Sequence, residues 1–161
     1  MQISERERIA RAVTLCRENR LEDGYALLKH AAIEGFPKDS PSAAYSYLGY
    51  GMAVFEARYN DGVAACQRAL EVEFYQPENY WNLARTYLLL GARRKAVQAL
   101  NAGLRVDPGY APLLRLRREM GSRKRPVLRF LRRDHWLNRM LGSVRHELKK
   151  PPQSRRNQEG D

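Results

Sequence analysis

One apolar stripe, set at helical spacing and followed by a turn and a second stripe, recurs along this chain. Tyr80, Leu83, Ala84 and Tyr87 stand at i, i+3, i+4 and i+7, which is one face of a helix. Gly91 then ends that helix, as a residue tolerant of positive φ does. Ala96, Leu100 and Leu104 form the next stripe, and Pro108 stops it. The same order runs earlier in weaker form. Tyr45, Leu48, Gly49 and Met52 precede Tyr59, Gly62, Cys66, Ala69 and Leu70; Ile9, Ala12, Val13 and Cys16 precede Leu21, Gly24, Leu28 and Ala31. The turn sequences Leu21-Glu22-Asp23-Gly24 and Tyr59-Asn60-Asp61-Gly62 lie 38 residues apart, and the third copy follows the second at 34. The extra residues fall in Pro37-Lys38-Asp39-Ser40-Pro41-Ser42, where Ser40 can cap a helix with Pro41 at its first position. No sustained period-2 alternation competes, so the expected class is all-α.

The third copy resembles a tetratricopeptide repeat. That family sets large, small and aromatic residues at fixed offsets over about 34 residues, and the matching positions here are Tyr80, Leu83, Ala84, Tyr87, Gly91, Ala96, Leu100, Gly103 and Pro108. Gly103 stands where the family usually has Ala. The resemblance covers about residues 5–108 and implies a short right-handed α-solenoid of three helix pairs. Residues 110–120, with Leu113, Leu114 and Leu116, are expected to cap the last exposed face. The domain reading is thus 5–120 for the helical body, 121–150 for a basic segment with an amphipathic helix, and 151–161 for a disordered tail.

Charge separates the body from that end. Residues 1–114 hold 14 Lys+Arg against 13 Asp+Glu, whereas residues 115–161 hold 15 against 5. A clustered positive field attracts nucleic acid, a ribosome or an anionic membrane. The anion-contact candidates are Arg123, Lys124, Arg125, Arg132, Arg133 and Arg139. A final helix starting at Asp134 would place Leu137, Met140, Leu141, Val144 and Leu148 on one face. That face either docks on the solenoid or, with Trp136, anchors at a membrane interface. No stretch reaches the roughly 20 apolar residues of a membrane span, and the charged N-terminus is not followed by a leader-like apolar run. A reducing cytoplasm is the simplest compartment for a chain whose cysteines are Cys16 and Cys66 alone.

No catalytic constellation is legible. His30, His135 and His146 are scattered, and neither a phosphate-cradling loop nor a nucleophile elbow occurs. Cys16 and Cys66 fall on the core stripes, where a thiol without a basic neighbour stays protonated. The reading is therefore of a non-enzyme, with no catalytic residue, no metal site and no cofactor.

The resemblance implies that the first helix of each pair lines a concave groove for a peptide or helix of another protein. The groove candidates are Arg11 and Thr14, then Tyr47 and Tyr50, then Trp81, Asn82, Arg85 and Leu89. Tyr, Trp and Arg are the residues that dominate binding hot spots. Equally, the aromatics could fill a tapering core. Asn82 stands where the family often places an Asn that bonds a bound peptide backbone. The Lys, Asn and Arg cluster by which some members clamp a terminal carboxylate is otherwise missing, since the inner positions read Ala10, Thr14, Tyr47 and Asn82. An adaptor, a scaffold or a small chaperone are the functions this architecture implies, with an electrostatic tether through the basic end as the alternative.

Overall fold

The structure, a computed structural model, describes residues 4–121. Among them are seven α-helices and no strand: α1 (Glu5–Arg17), α2 (Leu21–Glu34), α3 (Ser42–Phe55), α4 (Tyr59–Val72), α5 (Pro77–Leu89), α6 (Arg93–Val106) and α7 (Ala111–Glu119). The chain is all-α over this range, as its periodicity requires. The helix expected within 110–120 is α7. The basic segment, its helix from Asp134 and the tail at 151–161 lie outside the described residues.

Each helix has a local cause. Ser4 opens α1 with a capping box: its Oγ accepts from the Glu7 amide at 3.2 Å, and the Glu7 carboxylate accepts from the Ser4 amide at 2.9 Å. α5 begins with Pro77 in its first turn, where a missing N–H costs nothing. The three turns that join α1 to α2, α3 to α4 and α5 to α6 share a left-handed position. The second residue past each helix is left-handed: Asn19 (φ 66°), Ala57 (φ 55°) and Gly91 (φ 78°). In the first and third turns the next amide reaches back to the helix, Arg20 to the Leu15 carbonyl at 2.9 Å and Ala92 to the Tyr87 carbonyl at 2.8 Å. That closure caps orphan carbonyls and reverses the chain. The connection between α2 and α3 spans residues 35–41, against 73–76 between α4 and α5, so the extra residues of the first interval do fall there. Ser40 does not cap α3, however. The helix starts one residue later, at Ser42, with Pro41 at the cap position and no side-chain cap, while Ser40 Oγ is buried without a partner.

The paired helices run antiparallel and close together. Gly49 of α3 and Gly62 of α4 meet backbone to backbone, and a Cβ on either would overlap the other's carbonyl oxygen. Gly103 serves a similar end: a Cβ there would crowd Tyr80 and Leu113, so glycine at this position lets α7 close on α5 and α6. Small residues (Ala12, Ala44, Ala69, Ala84 and Ala96) are fully buried along the same seams. Two apolar clusters result. One joins α1, α2 and α3 around Ile9, Leu28 and Leu48; the other joins α4 to α7 around Leu83, Leu100 and Leu113. Trp81 packs against both.

Buried polar side chains set the register of α3 against α5. Asn79 donates to Ser42 Oγ at 2.9 Å, and Asn82 donates to Ser46 Oγ at 3.1 Å. Both pairs are buried, so each satisfied bond opposes a slip that would leave polar atoms unpaired. A further tie joins the first pair to the second. Glu56, just past α3, accepts from the Tyr25 hydroxyl at 2.7 Å and from Lys29 at 2.5 Å. These bonds hold the Glu56 carboxyl at about 2, the Lys29 contact contributing most. No helix among the described residues is long and apolar enough to cross a membrane.

Candidate functional site

A hollow of about 1030 Å³ opens where the ends and inner faces of α1, α3, α5 and α7 converge. Helical spacing puts its walls in place. Tyr47 and Tyr50 are one turn apart on α3, and Glu78, Trp81 and Arg85 stand at i, i+3 and i+7 on α5. The last turn of α1 contributes Cys16 and Arg17; Tyr110, just before α7, and Arg115 on α7 complete the rim.

At the floor lies a carboxylate. Glu78 is 8% exposed and is fully engaged. Its Oε1 accepts from the Tyr47 hydroxyl at 2.7 Å and from Arg17 Nε at 3.0 Å, and its Oε2 accepts from Arg17 Nη2 at 2.7 Å. The bidentate bond to Glu78 raises the Arg17 guanidinium above its ordinary value. Burial, with the Glu78 charge second, pushes the Tyr47 phenol well up, the Tyr110 phenol to about 12 and the Cys16 thiol to about 11. Cys66, deep between α3 and α5, rises to about 12 by burial. Burial thus disfavours the thiolate form of both cysteines.

The wall is aromatic and cationic. The central guanidinium carbon of Arg85 lies 3.5 Å from the centroid of the Tyr50 ring and 4.1 Å from that of Trp81. Such cation–π contacts restrict the side chain while its N–H groups remain able to donate. One of those donors, Nη1, reaches Asn82 Oδ1 at 3.3 Å.

The sequence-derived candidates separate into two groups. Tyr47, Tyr50, Trp81 and Arg85 border one hollow. The alternative role of core filling also applies to two of them: Tyr47 is only 2% exposed, and Trp81 bridges both apolar clusters while facing the hollow. Asn82 is different. It is 0% exposed and bonded to Ser46, so its amide is spent inside the protein and is not presented to a ligand. Arg11, Thr14 and Leu89 are exposed and do not border the hollow. The Thr14 hydroxyl donates back to the Ala10 carbonyl at 3.0 Å. Arg123, Lys124, Arg125, Arg132, Arg133 and Arg139 lie outside the described residues.

Sequence reasoning missed Arg17, Glu78, Tyr110 and Arg115. For Glu78 a signal existed, since it shares the helical face of Trp81 and Arg85. For Arg17 none did, because its partner is 61 residues away. Among the described residues no group of three His, Cys, Asp or Glu side chains is placed to share a metal ion. No protein-family model matches the chain, and no curated protein matches it.

Proposed function

We propose that this chain is a short right-handed solenoid of tetratricopeptide-like helix pairs, and that it acts without catalysis by holding a peptide or helix of another protein in its hollow. The observation that carries this reading is the wall itself: Tyr50, Trp81 and Arg85 meet at one concave surface with their positions already constrained. Pre-ordered aromatic and Arg side chains lose little freedom on binding, and they are the types that anchor interfaces. Three features support the solenoid part. The turns within the pairs repeat one left-handed position, α3 and α5 are bonded through two successive polar pairs (Ser42 with Asn79, Ser46 with Asn82), and α7 covers the last pair. Adaptor, scaffold and chaperone-like roles all use such a surface.

The test is affinity purification from the native host with the full chain and with a variant carrying Trp81→Ala and Arg85→Ala. A salt-resistant partner of the wild type should bind the variant about tenfold more weakly or worse, the size of one lost hot spot. Helicity by circular dichroism should be unchanged. Equal affinity in a folded variant would refute the groove.

The charge asymmetry supports a second, compatible reading, a tether to nucleic acid, ribosome or anionic membrane through Arg123, Lys124, Arg125, Arg132, Arg133 and Arg139. Binding of that kind falls steeply with salt. Deleting residues 121–161 should abolish it, and retention by the shortened body would exclude the tether.

A further inference from the structure

We propose that the occupant of the hollow is an acidic segment, and that Arg85 takes its carboxylate; this inference rests on the groove reading above. Its basis is an imbalance in how the charges are spent. Every ion pair among the described residues is made by residues 6–78. Arg17, another guanidinium at the border of the hollow, is consumed by Glu78. Arg85 and Arg115 also border the hollow, yet neither has a carboxylate partner among those residues. The sequence explains the shortage. Residues 4–78 hold 9 Lys+Arg and 12 Asp+Glu, whereas residues 79–121 hold 8 and 2.

Arg85 is suited to such a ligand. Packed against Tyr50 and Trp81, with one donor on Asn82, its planar fork is held in place, and its other N–H groups have no hydrogen-bond partner among the described residues. A guanidinium so placed is weakly hydrated and matches a carboxylate in a two-bond geometry. Neighbouring aromatic surface gives the rest of the segment an apolar contact. A phosphate backbone fits less well. It carries a charge at every residue and would set some of them against Glu119, which also borders the hollow and has no ion-pair partner among the described residues. The carboxylate can come from an acidic side chain or from a chain terminus, and the chemistry at Arg85 is the same for both.

A synthetic library of random short peptides, made with free and with amidated C-termini, tests this against the full chain. Peptides that bind the wild type and are lost with Trp81→Ala should be enriched in Asp and Glu over the starting pool, or should require the free terminus; amidation tells which. Arg85→Gln should weaken them about tenfold, the worth of one charge-assisted bond. Replacing the peptide's Glu by Gln, or amidating it, should weaken wild-type binding equally and have no further effect on the Arg85→Gln protein. That change is made on the ligand, so it reads the contact whether or not the variant folds. Trp81-dependent binders with no acidic preference would overturn this inference and leave the groove standing. Failure to obtain any Trp81-dependent binder would overturn both. A homopolymeric RNA bound in an Arg85-dependent way would also overturn it, by placing phosphate where the carboxylate is assigned.

Discussion

Position 57 carries a methyl group in a backbone conformation that disfavours one. Ala57 sits at φ 55°, in the turn between α3 and α4, where its counterparts in the other two turns are Asn19 and Gly91. Asn and Gly enter the left-handed region readily, whereas Ala pays about 1 kcal/mol or more. Ala57→Gly should therefore leave the structure intact and stabilise it by a few tenths to about 1 kcal/mol, the relief of strain being partly offset by the freer unfolded chain. Urea denaturation measures this, and a loss of stability would show that the methyl makes a contact worth more than the strain. Residue-scale readings from sequence succeed or fail on the same ground. Gly91 was legible because left-handed turns select glycine. Ala57 was not, because its neighbours force the conformation on a residue that does not prefer it. Asn82 was misread for a related reason: spacing locates a side chain on a helix face but not which neighbour exhausts its donors.

At the scale of the element, α7 is the one helix among the described residues with no partner in a pair, and its position rests on a small apolar face. Leu113 is fully buried and Leu116 nearly so, both within the cluster that joins α4 to α7. Leu113→Ala should cost about 2–5 kcal/mol, because the space under α7 cannot collapse against the rigid backbones around Gly103. The check is the urea midpoint with the denaturant slope unchanged; a cost below about 1 kcal/mol would mean that α7 adheres through other contacts. The helices themselves were almost wholly readable. All four residues of the first stripe, Ile9, Ala12, Val13 and Cys16, are buried as their spacing requires. Element ends were less so: the start of α5 at Pro77 and of α3 at Ser42 depend on turns whose details the pattern of apolar residues does not contain.

Across the whole molecule, stability depends on ties between pairs that are distant in sequence, and one of them titrates. Glu56 is partly exposed and receives Tyr25 and Lys29 from α2 and Arg58 from its own turn. Its carboxyl is depressed to about 2 in the folded protein, from 4.5. A depressed acid stabilises the fold above its unfolded value and loses that contribution as pH falls through the folded one. Wild type should therefore lose stability between about pH 4.5 and about pH 2 more steeply than Glu56→Gln does. Urea midpoints at pH 5 and pH 3 would show it, and parallel curves would mean that solvent screens the cluster. The tie was invisible in the sequence, where Glu56 reads as one more surface charge.

What the amino-acid order settled by itself is the local part: helices where apolar residues recur at helical spacing, reversals where the chain enters left-handed turns, a non-polar setting for both cysteines, and a cationic end. These follow from interactions within a few residues, which any segment carries with it. What required the folded chain is the hollow: Arg17 drawn to Glu78 across 61 residues, Asn82 turned inward to Ser46, and Arg85 laid on two rings from different helices with no acid to meet it among the described residues. Those outcomes depend on which surfaces the helices bring together, and a polar group buried by that meeting must bond whatever lies opposite.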